Sequence, residues 1–330
     1  MALPPLSVLD LAPIVEGSTA GEALANSLTL AQHVERLDYR RFWLAEHHNA
    51  LGIASAATSV VIAHVAAGTS TIRVGSGGIM LPNHSPLVIA EQFGTLEALH
   101  PGRIDLGLGR APGTDLPAIL ALRRDPSAAD NFPQDVLELQ RYLADPVPGR
   151  RVRAIPGEGS NVPLWILGSS LYGAQVAALL GLPYAFASHF APEALLPALE
   201  TYRARFEPSE QLAEPHVMVA ANAIVADTDE EARRLFTSVQ QSFTNIARGR
   251  RGRLPPPIDD IEDYWSVSEK ERASAMLRRS FVGTAATVEE GLTAFAAETQ
   301  ADELIIAAAI HDFPARLRSY ELLAGVAVPR

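Results

Sequence analysis

The chain has 330 residues, 48% hydrophobic and 20% charged, an ordinary globular composition. Its 27 Lys+Arg against 38 Asp+Glu leave a net charge of −11, which opposes nucleic acid or an anionic membrane as the main partner. The absence of cysteine removes disulfides, thiolate nucleophiles, iron–sulfur clusters and Cys-based zinc sites.

Lys270 is the only lysine, so Schiff-base and P-loop chemistry have no candidate in the body of the fold. The N-terminal Met-Ala-Leu-Pro-Pro has no basic region before an apolar core, and so predicts no secretory signal. Apolar runs such as Leu304 to Ile310 are far shorter than the ~20 residues that cross a bilayer. The expectation is a soluble, cytoplasmic chain.

Short apolar runs alternate with helical periodicity from end to end. Strand Leu6–Leu9 precedes a helix over Ala23–Leu37, strand Arg41–Ala45 a helix over Ala54–Gly68, and strand Ile72–Gly75 a helix over Ser85–Leu99. Strand Ile104–Leu108 follows, then an excursion from Asp145 to Pro163 rich in Pro, Gly and Arg. Strands Leu164–Leu167, Tyr184–Ala187, His216–Val225 and Glu303–Ala308 complete the set, with helices over Leu171–Leu180, Pro192–Phe206, Asp229–Gln241 and Val288–Glu298. The β-then-α order predicts a parallel sheet. Eight repeats predict closure into a (β/α)8 TIM barrel, one domain over 1–330, with an open doubly wound sheet as the rival.

A second interruption, Arg248–Lys270, carries Arg250, Arg251 and Arg253, then three prolines, then Asp259, Asp260, Glu262 and Asp263 before Tyr264-Trp265. A loop this long in a compact domain is a lid or is disordered. Its aromatic end favours a lid, and its charge blocks favour disorder.

In such a barrel the strand ends carry the chemistry. Strand one runs to Asp10. Strand two runs into Glu46, His47, His48 and Asn49 without a capping or turn pattern, which places acid/base groups at the catalytic face. On an extended backbone the adjacent His47 and His48 point opposite ways, so one of them faces the site. Strand three ends in Gly75-Ser76-Gly77-Gly78, where missing side chains let a flat ligand approach. Gly168-Ser169-Ser170 before the helix at Leu171 reads as a phosphate cradle, with Arg110 from the neighbouring strand end as its fixed charge. Strand six ends Ser188-His189-Phe190, and strand eight reaches His311-Asp312. His33, His64, His84, His100 and His216 read as structural or surface histidines. Gly107-Leu108-Gly109 begins a dinucleotide fingerprint, but Pro112 stands at its sixth position and no helix start follows.

Trp43-Leu44-Ala45-Glu46-His47-His48, Gly75 through Pro82, Gly102 through Arg110, Leu167 through Ser170 and Gly181 through His189 resemble, in the same order, the bacterial luciferase-like flavin monooxygenases, in their single-chain branch. The resemblance covers nearly the whole chain. It implies a TIM barrel that binds reduced FMN at the strand C-termini and uses O2 to oxidise a small aldehyde-like or other apolar substrate, the reduced flavin coming from a separate reductase. His47 matches the catalytic histidine, flanked by Glu46 and His48. Arg110 and Ser170 match phosphate ligands, with Gly168, Ser169, Ser76 and His189 joining the cofactor-binding set. Gly77-Gly78 matches a non-prolyl cis peptide beneath the flavin ring, and Arg248–Lys270 the mobile loop. Gly173 stands where the family carries a second phosphate-binding hydroxyl. The helices around Ala54–Gly68 and Ser85–Leu99 match the subunit contact of a homodimer. The other readings are a metal-dependent barrel hydrolase using His47, His189, His311 and Asp312, a flavin-binding protein without turnover, and a deazaflavin-using relative.

Overall fold

A computed structural model describes residues 3–111 and 114–327; Pro112 and Gly113, at the failed dinucleotide fingerprint, lie outside the described residues. The strands are β1 (Leu6–Asp10), β2 (Arg41–Leu44), β3 (Arg73–Met80), β4 (Ile104–Gly109), β5 (Leu164–Gly168), β6 (Tyr184–Phe186), β7 (Val217–Val225), β8 (Ser280–Gly283) and β9 (Glu303–Ala307). All pairings between these strands are parallel. β1 to β7 and β9 close into an eight-stranded barrel through β6–β7, β7–β9 and β9–β1. The open doubly wound alternative is thereby overturned.

β8 was not foreseen. β7 is long enough to serve two neighbours: Met218–Asn222 pairs with β9, and Asn222–Val225 pairs with β8 outside the barrel. A four-residue strand with a serine and a glycine offers no hydrophobic period, so only its partner reveals it.

The strands read as continuous apolar runs because both their faces are covered. Phe42 and Leu44 join the large outer cluster under the helices, whereas Trp43 and Ala45 point inward with Leu9, Trp165, Ala185, Met218, Ala220 and Ile305. That alternation, period two, sets what the barrel mouth contains. Asp10, expected on the rim, falls on the outer face. It pairs with Arg316 at 2.8 Å and accepts from Ser27 and the Ala12 amide, so it clamps β1 to the last helix.

The excursion before β5 is present and irregular, with a cis bond at Ile155-Pro156. The Arg248–Lys270 interruption is shorter than expected: a capping box of Ser266 with Glu269 starts a helix, Val267–Met276. The rest is an ordered strap. Leu254 is buried and bridges Val15, exchanging backbone hydrogen bonds with Ile14 and Glu16, and Gln241 Nε2 donates to Pro256 O at 2.9 Å. A Cβ on Gly52 would meet Gly252 O at 2.2 Å, so the strap lies directly on the loop after β2. Among the described residues no helix is long and apolar enough to cross a membrane.

Candidate active site at the barrel mouth

The barrel floor, at the strand N-termini, is closed by charge. Arg41 reaches Asp105 at 2.7 Å and Glu303 at 2.9 Å, Arg73 reaches Asp105 at 2.6 Å, and Trp43 Nε1 donates to Asp105 at 3.1 Å. Ser7 also donates to Glu303, and the Arg41 guanidinium lies 4.8 Å from the Trp165 ring centroid. Trp43 and Trp165 meet edge to face at 5.2 Å in the next layer. These charges and rings fill the strand N-terminal end of the barrel interior.

At the other end β2 separates its polar residues by parity. His47 continues the inward set of Trp43 and Ala45 and is half-buried at the mouth. Glu46 and His48 go to the other side of the sheet. There the buried Glu46 carboxylate accepts from His48 Nε2 at 2.8 Å, His84 Nε2 at 2.9 Å and the Met80 amide at 3.1 Å. A carboxylate only accepts, so both imidazoles present N–H to it. Burial pushes the Glu46 carboxyl up, but the bonds from His48 and His84, the His84 charge and the Met80 amide outweigh it and hold the pKa at about 2. The hydrogen bond to Glu46 raises His48, against the opposing effect of burial.

Glu46, His48 and His84 also line a pocket of about 340 Å³ with Ala56–Val60, Ile79 and Gln92, outside the barrel. Among the described residues this trio is the one group of at least three side chains spaced to hold a metal ion. Its Nε2 atoms, however, face the carboxylate as donors, not as lone pairs. The other proposed metal set is not assembled: His311 Nε2 sits 3.2 Å from Glu16 O, and Asp312 caps the last helix through the Ala315 amide. His84, read from sequence as structural or surface, is thus a partner of Glu46. Its one available signal was its place just after β3, level with the end of β2.

The glycines of β3 and β4 bring backbone against backbone. The Gly77-Gly78 peptide is cis, and the register with β4 shifts between Ser76 and Ile79. A Cβ on Gly77 would meet Leu9 Cδ1 at 2.7 Å, and one on Gly78 would meet Gly107 O at 2.6 Å. Close strand packing alone therefore demands glycine at both positions. Ser76 is buried and donates to Gly107 O at 2.8 Å, so its hydroxyl ties β3 to β4.

Across the mouth, β5 ends at Gly168 and leads through Ser169 to Ser170, the extended residue before helix Leu171–Leu179, which makes no side-chain cap bond. Arg110, exposed at the end of β4, lies with its guanidinium 4.1 Å from the Tyr172 ring centroid. Gly173 is buried against the same turn: a Cβ there would stand 3.3 Å from Gly168 Cα and 3.4 Å from the Tyr184 ring, whose hydroxyl donates to Ser170 O at 3.2 Å. His189, after β6, is the second imidazole of the mouth. Burial, then its neighbour His47, pulls its pKa down to about 4.

The family model described as luciferase-like monooxygenase matches residues 5–303. A luciferase-like monooxygenase of Escherichia coli (strain K12) is 56% identical over 97% of this chain and 96% of its own length. The crystal structure of apo-MsnO8 superposes with a TM-score of 0.92 at 40% identity, covering 99% of this chain and 100% of that one. At the level of fold alone, the FMN complex of the oxygenating constituent of 3,6-diketocamphane monooxygenase from Pseudomonas putida matches with a TM-score of 0.70 and 17% identity, covering 99% and 98%.

Proposed function

The chain belongs to the luciferase-like monooxygenase family, and on that premise we propose that it is an FMN-dependent monooxygenase working at the barrel mouth. The observation that carries this is one rim holding His47, the cis Gly77-Gly78 bond, and Arg110 stacked on Tyr172, two residues after Ser170. The cradle fits the cofactor in kind. Gly77 and Gly78 add no side chain of their own to the rim, and at the ends of β4 and β5 a fixed cation and a helix N-terminus stand ready for a phosphate. The neighbour with FMN in its complex supports the same choice of cofactor.

FMN, once reduced, supplies the electrons that let O2 oxidise an aldehyde-like or other apolar substrate. This chain's residues bind, orient and shield. Arg110 and Ser170 hold the phosphate, with Gly168 and Ser169 shaping its cradle. Gly77 and Gly78 form the flavin bed, and the buried Ser76 ties β3 to β4 beneath it. His47 holds or moves a proton at its imidazole. Leu9, Leu11 and Leu167 keep water from the bed, and the 248–266 strap covers the β1 and β2 side. Glu46 and His48 act behind His47 by fixing the end of β2 to β3.

Reduced flavin would come from a separate reductase, in the cytoplasm. Val60, Val88 and Leu99 stand exposed on helices Thr58–Ala67 and Pro86–Leu99, which supports a homodimer through that face.

The test is an anaerobic titration of the purified protein with FMN, reduced FMN and a deazaflavin, with metal content read on the same sample. Preferential binding of reduced FMN supports the proposal. Binding of deazaflavin alone, or no flavin binding with stoichiometric metal, overturns it.

A further inference from the structure

Period-two alternation after β2 sends Glu46 and His48 to the same outer side of the sheet, away from His47. His84 meets them there from the short turn Leu81–Asn83 that follows β3, fixed by its own amide bond to Leu81 O at 2.9 Å. One carboxylate and two imidazoles thus converge from the ends of two adjacent strands. Their ligand atoms all lie within 4.8 Å of one another, with His48 Nε2 2.8 Å and His84 Nε2 2.9 Å from Glu46 Oε1. An ion with bonds of ~2.1 Å spaces its ligand atoms about 3.0–3.4 Å apart, so opening the cluster by a few tenths of an ångström admits one.

His48 and His84 are partly exposed, and the cluster opens onto the pocket of about 340 Å³ outside the barrel, which brings solvent to it. The described residues lining that pocket include no lysine or arginine, and Glu46 is their one carboxylate. Glu46 Oε2 is held by the Met80 amide at 3.1 Å, the kind of outer support that ligating carboxylates carry. We propose that Glu46, His48 and His84 form a site for one divalent transition-metal ion, bound through Glu46 Oε1 and the two Nε2 atoms, with solvent completing its shell. Each imidazole presents a lone pair by moving its hydrogen from Nε2 to Nδ1, a change of tautomer without change of charge; an imidazolium first gives one proton to solvent. Two imidazoles and one carboxylate suit zinc and its transition-metal neighbours better than magnesium or calcium. The ion clips the end of β2 to the turn after β3. It sits across the sheet from His47 and the flavin bed, so its test stands apart from that of the proposed function.

The experiment uses the whole untagged chain, stripped with a chelator and titrated with zinc(II) by calorimetry and with cobalt(II) by visible absorption. One ion per chain is expected, with an unfolding midpoint that rises on loading. His84→Ala should weaken zinc by more than about 100-fold, because even the outer partners of a metal site are worth about 10–100-fold. His311→Asn, outside the cluster, should leave zinc affinity unchanged. The absence of saturable one-to-one binding, an unchanged zinc affinity in His84→Ala, or its loss in His311→Asn overturns the proposal. If His84→Ala does not fold, anomalous diffraction at the zinc edge from crystals of the unaltered protein decides. An ion between Glu46, His48 and His84 supports the site, and an ion bound only elsewhere overturns it.

Discussion

The two ends of the barrel are built on opposite principles. At the floor the ion pairs interlock: Arg41 spans Asp105 and Glu303, Arg73 doubles on Asp105, two tryptophans seal the layer above, and His216 Nε2, 4.0 Å from Glu303, is the one floor nitrogen left without a hydrogen-bond partner among the described residues. At the mouth the backbone is bare, Arg110 rests on an aromatic face, and a buried His189 nitrogen has no protein partner. Saturated groups have nothing left to offer a ligand, and unsaturated ones cost stability until a ligand arrives. On the proposed function stability belongs to one end and chemistry to the other, and substitutions at each end separate the two.

The largest expected effect is at the floor. Arg41→Leu leaves Asp105 and Glu303 buried without their shared cation and should cost about 3–5 kcal/mol; urea unfolding followed by circular dichroism measures it. A loss below about 1 kcal/mol would mean that Arg73 and Arg40 carry the network by themselves.

His47→Ala should do the reverse, keeping its fold and flavin affinity while substrate oxidation drops about 10²–10⁴-fold, the range for a positioned acid/base group. Turnover within a factor of two of the unaltered protein would remove His47 from the chemistry. Arg110→Ala should weaken FMN by about 1.5–3 kcal/mol, the range for hydrogen bonds to charged groups, and leave riboflavin, which has no phosphate, untouched. Calorimetry with both ligands reads the difference, and equal losses for both would place Arg110 elsewhere than at the phosphate.

The smallest effects are in pH dependence, and they differ in sign. His189 has a folded pKa of about 4, below its ordinary 6.5, so its contribution is present above 6.5 and is lost as pH falls from there towards 4. Replacing it with Asn should flatten that acid limb. Glu46, held at about 2, contributes stability above 4.5 that is lost as pH falls from there towards 2. His48 is raised, so its contribution is full below 6.5 and fades as pH climbs through its higher folded value. His48→Asn should therefore remove a loss of stability on the alkaline side and leave the His189 limb intact. Thermal melts between pH 4 and 9 would show whether the two histidines titrate as separate units, as their opposite faces of the sheet require.

The β/α alternation made the barrel legible in the sequence, because strands covered on both faces must be apolar throughout and helices must repeat near 3.6. The family motifs made the cis Gly77-Gly78 bond legible in the sequence. Parity along β2 already implied that His47 and His48 part company. What the sequence could not carry were facts about partners distant along the chain. Asp10 looks like any rim carboxylate until Arg316, 306 residues away, claims it. His84 looks like a surface histidine until barrel closure sets it against Glu46. β8 exists only because β7 outruns β9, and the strap counts as ordered only because Leu254 finds Val15. Local pattern, read from neighbours in sequence, determined the elements and their faces. Tertiary structure decided which polar groups are satisfied and which remain open, because satisfaction depends on distance in space, and a linear pattern does not record it.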